Sequence, residues 1–595
     1  MNTNHNQLDD FFGLKPDDEQ KKPKESLKED LVKKLSFQTR LRLLPKVLSK
    51  RERYTIFTFL LIMFFSILAL PVTSFYHFTT PQPDSGGSFT EGILGEPRLI
   101  NPLLAQANDA DRDLTGLIYS GLMKYNEEGK LIPDLAKSSP EISSDGLSYT
   151  IYLKESAYWH DGNKVTAEDV MFTIQTAQNP DYVSPQRVSW QGVELEKIND
   201  FTIRFRLKNK YAQFSNNLTI GILPKHLWQY IKPINFSLSE LNVKPVGSGP
   251  FKFARLRKDR LGIIESYDLE AHRQHHNGGP MIDAITFRFY NSEEEMIDAY
   301  NNGEIHNISF VSGQNFQKVE QRGQISLDEL KLPRYFGVFF NQNQSKILSN
   351  KNVRLALNHA TDRDAIIQQI LRGKGMVINS PMIPGILDIN TNVPSYAYDL
   401  EKSKTVLRTD GWTDPDSGGI LTKQNTRLTL KLTTSTWPEL MEVANMLKEQ
   451  WKAAGVEVTV EALPISQLQQ VIKDRDYQML LFGEILNIDP DPFSLWHSSQ
   501  AKDPGLNLAL YNNKAADTLL EEARQTINPL ERRNKYDDFQ KLVIEDIPAV
   551  FLYSPFYVYG IHDDIEGFST ALVSVPSDRF SNIDHWYIET KRVLK

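Results

Sequence analysis

The chain has 595 residues, more than one ordinary hydrophobic core organises, so several domains are expected. With 40% hydrophobic and 24% charged residues its composition is globular, and a net charge of -8 gives no concentrated basic surface for nucleic acid. The absence of cysteine excludes disulfides, thiolate metal centres, a cysteine nucleophile and a lipid-modified N-terminal cysteine.

Residues 1–30 are polar with mixed charge and read as a disordered tail. Leu27, Leu31 and Leu35 fall at helical spacing beside lysines, and Leu41, Leu43 and Leu44 follow among arginines. Two readings stand: an amphipathic helix on anionic lipid, or a linker with scattered leucines. From Tyr54 to Pro83 there is no Lys, Arg, Asp or Glu. The part over 54–76 is long enough for a transmembrane helix through a hydrocarbon core of about 30 Å. Pro71 predicts an end or a kink, and Tyr54, Tyr76 and His77 sit where interfacial residues belong. Lys46, Lys50, Arg51 and Arg53 precede the span, and Asp84 is the first charge after it. The positive-inside bias places residues 1–53 in the cytoplasm and everything after the linker 77–87 outside. A signal peptide cleaved near Val72-Thr73-Ser74 is the alternative, against which stands the long basic region ahead of it.

Beyond the linker no tandem repeat is visible. Alternation predicts strands at Tyr149–Leu153, Thr202–Leu207 and Ile285–Phe289. Helices are predicted at Ala167–Ala177, Asn352–Leu371, Pro438–Ala453 and Leu530–Ile544, the first opened by the Thr166 hydroxyl as a cap with Asp169 beside it. Gly247-Ser248-Gly249-Pro250 reads as a tight connection whose glycines take backbone angles closed to other residues. The stretch 428–460 reads as strand, helix, strand, a parallel unit with a right-handed crossover. The class is α/β.

Several blocks then occur in order: Asn101-Pro102, Ile118-Tyr119-Ser120-Gly121-Leu122 and Pro133-Asp134-Leu135-Ala136. Trp159-His160-Asp161-Gly162 leads to Val165-Thr166-Ala167-Glu168-Asp169-Val170. Pro245–Phe251, Gly337–Asn341, Asn352–Leu357, Thr361–Arg363, Gly411-Trp412 and Asp546-Ile547-Pro548 complete the set. With these blocks, residues 88–560 resemble the class-5 extracellular solute-binding proteins, the peptide- and nickel-binding components of ABC importers. The resemblance implies a two-lobed periplasmic-binding-protein-like fold of class II type with an extra subdomain, following the single transmembrane helix. Lobe I would be 88–334, with the subdomain at about 125–249 and a C-terminal return over 553–595. Lobe II would be 335–552, and the crossings near Pro333–Phe340 and Phe551–Pro555 would form the hinge.

In peptide-binding members of that family the ligand lies extended between the lobes and pairs with protein strands. The matching segments here hold Glu96 and Arg98 on one side and Phe482, Gly483, Glu484 and Ile485 on the other. The family's usual amine-pairing aspartate would stand three residues before Asp489-Pro490, where this chain has Leu486. Glu484 is the nearest acid, either the substitute partner of a ligand ammonium or a strand-edge acid. Asp489 is a ligand contact or a turn former, and Trp496 and Trp190 are stacking walls or core. His272, His275 and His276 have close spacing but fall in a family loop, and no metal is assigned to them. No G-x-S-x-G, H-E-x-x-H or P-loop is present, so neither catalysis nor a cofactor is expected. The expected partners are an oligopeptide or other small solute, an ABC permease and the membrane. The alternatives are an anchored sensor that binds peptide without transport, and a metal-dependent hydrolase.

Overall fold

The computed structural model describes residues 36, 38–39, 48–105, 108–386, 389–390 and 393–595, so the polar tail and the leucines between 27 and 44 lie outside the described residues. The uncharged stretch is a helix, Lys50–Phe78, opened by a capping box in which the Ser49 N–H and hydroxyl donate to Glu52 Oε2 (2.8 and 2.7 Å). Its 29 residues, none buried, include an 18-residue stretch with a mean hydropathy of 2.4, long and apolar enough to cross a membrane. The helix does not end at Pro71. The Thr73 hydroxyl donates to the carbonyls of Ala69 and Leu70 (3.0 and 3.1 Å), as Thr side chains do beside helix prolines. The next strand, Thr79–Pro83, pairs with the C-terminal strand Thr590–Leu594.

Residues 83–589 form a second unit. Its frame is a twelve-stranded mixed sheet. Ten strands run in the order Glu457–Leu463, Thr429–Ser435, Met479–Ile485, Arg334–Phe340, Ala549–His562, Asn307–Ile308, Ser88–Leu94, Ala284–Tyr290, Ile264–Ala271 and Phe251–Lys258; Ile325–Lys331 and Gly375–Val377 add to Ala549–His562. The unit over 428–460 is as expected: two parallel strands joined by the helix Pro438–Ala453. Ser88–Leu94 pairs in parallel with both Ala284–Tyr290 and Asn307–Ile308. A separate antiparallel sheet holds Glu141–Ile142, Ser148–Tyr152, Thr202–Arg206 and Glu194–Asn199 in that order.

The core divides along the sheet. One buried cluster draws on Phe89 to Leu332 and on Tyr557 to Trp586. The strand Arg334–Phe340 serves two others by simple alternation. Phe336, Val338 and Phe340 pack with Leu432, Val443 and Trp451, while Tyr335 and Phe339 pack with Leu480, Trp496 and Phe539. Buried on both faces, this strand is an unbroken apolar run, which hides the alternation from sequence reading.

Three local expectations change. The helix foreseen over 352–371 is two helices, Lys351–His359 and Arg363–Gln369, because Asp362 caps the second by accepting from Ala365 N–H (3.0 Å). At Thr166 the capping runs the other way. The hydroxyl and N–H of Thr166 both donate to Asp169 Oδ2 (3.0 and 2.9 Å), whose other oxygen accepts from Lys225 N–H. Gly247 and Gly249 do not take left-handed angles. They are needed for close approach: a Cβ on Gly247 would stand 1.9 Å from the Ile118 carbonyl oxygen.

Candidate functional site

Both segments singled out from the sequence lie at the carboxyl ends of parallel strands, where ligands of open α/β sheets bind. Gly95 leaves Ser88–Leu94 with φ +84° and donates to the Tyr290 carbonyl (2.9 Å). The backbone N–H groups of Arg98 and Leu99 both donate to Asp111 Oδ1 (2.6 and 2.9 Å), which fixes the turn. Burial raises the Asp111 carboxyl above its usual range despite those two donors. Glu96 and Arg98 pair with each other (2.9 Å), and the Arg98 side chain is 74% exposed. Among the described residues no hydrogen bond links this pair to Leu481–Ile485.

In the second segment Met479–Ile485 runs antiparallel to Arg334–Phe340 with Glu484 opposite Tyr335 and Gly483 opposite Phe336. Its other edge pairs with Thr429–Ser435 only at Met479 and Leu480. Phe482, Gly483, Glu484 and Ile485 therefore have one edge without a strand partner among the described residues. Ile485 is 71% exposed. A Cβ on Gly483 would stand 2.8 Å from the Phe336 ring, so glycine lets that ring lie over the strand. Glu484 is buried. Its Oε2 accepts from the Tyr335 hydroxyl, which accepts from Trp496 Nε1 (3.2 Å), and its Oε1 has no partner. Burial pushes its carboxyl up to about 8, only partly opposed by the Tyr335 hydrogen bond.

Asp489 receives Arg532 Nη2 on both oxygens (2.9 and 3.0 Å). Burial raises its carboxyl, with Arg532 acting against that. Asp491 accepts from Arg524 Nε (2.8 Å), and the Pro490 carbonyl between them accepts from Gln213 and the Tyr536 hydroxyl. The loop is thus held from both sides. Trp496 is fully buried against Phe339, Tyr511 and Phe551 and reaches the segment only through Tyr335. Trp190 is core against Phe205 and Phe214.

Four residues that sequence reading passed over surround the same strand end. Arg334, opposite Ile485, has a buried Nε without a partner, and burial lowers its pKa against the nearby Glu439. Glu439 accepts from the Tyr553 hydroxyl (3.0 Å), and burial raises its carboxyl. Tyr553 stacks on Phe336, whose ring also meets Trp437 edge-on at 6.2 Å. Trp437 is 48% exposed. The available signal was Trp437-Pro438 directly after the parallel strand Thr429–Ser435, where a helix begins with proline at its first turn.

The histidines lie elsewhere in the first cluster. His160 pegs the glycine turn, accepting Gly247 N–H at Nδ1 and donating from Nε2 to the Gly249 carbonyl (3.2 and 3.1 Å), and burial holds it neutral with a pKa of about 3. His272 also bonds Gly249 O (3.1 Å). Burial lowers His275 to about 3 as well.

The model of the bacterial extracellular solute-binding proteins, family 5 (Middle), matches residues 130–505. The oligopeptide-binding protein AppA of Bacillus subtilis (strain 168) is 29% identical over 516 residues, covering 85% of this chain and 92% of that protein. A solved structure of AppA from Bacillus subtilis in complex with a nonapeptide superposes with a TM-score of 0.66, over 85% of this chain and 100% of that one. The ABC transporter substrate-binding protein CtaP from Listeria monocytogenes gives 0.74 at 28% identity, over 85% and 100%. NikZ from Campylobacter jejuni in complex with Ni(L-His) gives 0.68 at 27% identity, over 84% and 99%. Fold and family match therefore define a two-lobed α/β binding protein of the ABC transport systems. The chain belongs to the bacterial extracellular solute-binding proteins of family 5. Its binding domain is extracytoplasmic, and it binds solute for an importer rather than catalysing a reaction.

Proposed function

We propose that this chain is a membrane-anchored receptor that captures oligopeptides between two lobes and presents them to an ABC permease. The observation that carries the peptide reading is the open edge of Phe482–Ile485. An extended peptide completes such an edge through main-chain hydrogen bonds, which are indifferent to its side chains. Trp437, Arg334 and the Glu96–Arg98 turn surround the strand ends and supply contacts for side chains and termini. Glu484 is the partner of the ligand's amino terminus, its unpartnered Oε1 being free to accept. The nonapeptide held by AppA agrees with this cargo class.

The lobes in this reading are 88–334 with 553–595, and 335–552. They close about the crossings near Pro333–Phe340 and Phe551–Pro555. The anchor is Lys50–Phe78, supported by its length, its lack of buried residues and the basic residues Lys50, Arg51 and Arg53 at its N-terminal end. Thermal melts of the full chain in detergent against a broad peptide library test the cargo. A ligand bound only by the folded state raises the melting temperature. No stabilisation by any peptide would refute the oligopeptide reading. Recovery of a chain that begins at Thr73 or later would refute the anchor, and failure to co-purify with any permease would favour an anchored sensor.

A further inference from the structure

Three groups that peptide capture leaves unused meet at the edge of the first cluster. Asp134 follows the short strand Leu131–Pro133, and His275 and His276 lie in the loop after Ile264–Ala271. Each offers one ligand atom, and these atoms all lie within 4.8 Å of one another. The two imidazole rings are 4.1 Å apart between centroids.

Hydrogen bonds set the tautomer of both rings. His275 Nδ1 lies 3.2 Å from the Gly278 carbonyl, which can only accept, so Nδ1 carries the proton and Nε2 presents a lone pair. His276 Nε2 lies 2.9 Å from Asp134 Oδ1, which leaves Nδ1 as the lone-pair nitrogen. Both of these nitrogens, His275 Nε2 and His276 Nδ1, are buried and without a partner. A buried acceptor left without a donor is costly, so the lone pair of His275 Nε2 calls for an occupant. An imidazole whose far N–H is held by a carbonyl, as at His275, is the arrangement of a metal-ligating histidine. Asn277 Nδ2 also donates to Asp134 Oδ1 (2.7 Å) and steadies it.

We propose that Asp134, His275 Nε2 and His276 Nε2 form a site for one divalent cation of the zinc, nickel or copper class, the ion taking the place of the His276–Asp134 hydrogen bond and shifting the His276 proton to Nδ1. Imidazole with carboxylate suits these metals, whereas magnesium and calcium prefer oxygen alone. Asp134 and His275 line a cavity of about 410 Å³, which leaves room for a water to complete the coordination. Two ammonium groups stand nearby: Lys124, which also lines the cavity, pairs with Asp584 (3.2 Å), and Lys154 donates to Asn277 Oδ1. The ion would tie the His272–Gly278 loop to the end of Leu131–Pro133. It uses none of the residues assigned to the peptide site.

The test uses the full chain in detergent, purified without a histidine tag, stripped with chelator and titrated with zinc, with magnesium as the control. The expected result is one tightly held zinc per chain, at least about tenfold weaker in His275→Gln and in His276→Gln. His226→Gln, on the surface beside Asp161, is expected to bind as the unsubstituted chain does. Because a loop variant can misfold, the unsubstituted chain is read directly: crystals grown with zinc are expected to show an anomalous peak among Asp134, His275 and His276. No zinc retained, a peak only elsewhere, or unchanged binding in the folded double variant would overturn the proposal.

Discussion

Glu484 offers the sharpest test, because its burial in the fold and its proposed pairing with a ligand ammonium pull in opposite directions with pH. Its carboxyl stands at about 8 instead of the usual 4.5. Each unit of displacement is worth about 1.4 kcal/mol, so the ionised form costs the fold about 5 kcal/mol once the pH exceeds 8. Between pH 4.5 and 8 the folded chain holds a proton there that the unfolded chain has lost. Stability therefore falls as pH rises through that window, by about 3 kcal/mol at pH 7. An ammonium, however, needs the ionised acid. Below pH 8 the ionised fraction drops about tenfold per unit, so affinity for a free-amine peptide is expected to rise about tenfold per unit from pH 5 to 7. It levels off near pH 8, where the peptide's own amine loses its charge. Glu484→Gln keeps an acceptor for the Tyr335 hydroxyl but cannot ionise. It is expected to stabilise the free protein by up to about 3 kcal/mol at pH 7, to weaken free-amine peptides and to flatten the pH profile. Calorimetry at pH 6.5 in two buffers of different ionisation enthalpy should register close to one proton released per peptide, and none with an N-acetylated peptide. Equal affinity at pH 5.5 and 7.5 with no proton release would remove Glu484 from amine recognition.

Arg579 is fully buried and donates to both oxygens of Asp113 (2.9 and 2.6 Å) and to Glu91 Oε1 (3.0 Å). Arg579→Met leaves two buried carboxylates unpaired and is expected to cost about 3–5 kcal/mol in a denaturant titration. Gly247→Ala places a Cβ 1.9 Å from the Ile118 carbonyl oxygen, and the backbone there cannot give way. Little soluble folded chain is expected, judged by expression and far-ultraviolet circular dichroism. Trp437→Ala removes a half-exposed ring and is expected to weaken peptide binding about tenfold while barely moving the melting temperature of the free protein.

What the sequence disclosed is what short-range chemistry writes. An uncharged run forms the Lys50–Phe78 helix, and an amphipathic run between two short strands forms the parallel unit at 428–460. Ordered motifs disclosed the family. The site was legible only as segments. Glu484 and Tyr335 are 149 positions apart and meet through strand register, which no local pattern encodes. Arg334 carries no mark in sequence, because its meaning comes from the burial of its Nε beside Glu439. The histidines were visible as a run, but Asp134 stands 142 residues from His276 and only the fold joins them. His272, equally prominent in the run, is taken by the Gly249 carbonyl.

The proposed hinge crosses the long strand Ala549–His562 of one continuous sheet. Its Ala549–Tyr553 part pairs with Arg334–Phe340, and its Phe556–His562 part pairs with Ile325–Lys331. Both partners run antiparallel to it, separated only by Leu332-Pro333. At the changeover the long strand carries Pro555, while its neighbour across the gap carries Pro333. A proline gives no ladder donor, so both crossings lose hydrogen bonds at the same level of the sheet. Ser554 and Pro555 pair only with the short strand Gly375–Val377. The pairing therefore changes partner between two separately packed regions of core. Bending there would leave these regions intact but would break the bonds of Gln213 to the Pro490 carbonyl and the Tyr536 hydroxyl. Met479–Ile485 is hydrogen-bonded to Arg334–Phe340 along its length, so in the proposed closure its open edge moves with the second lobe.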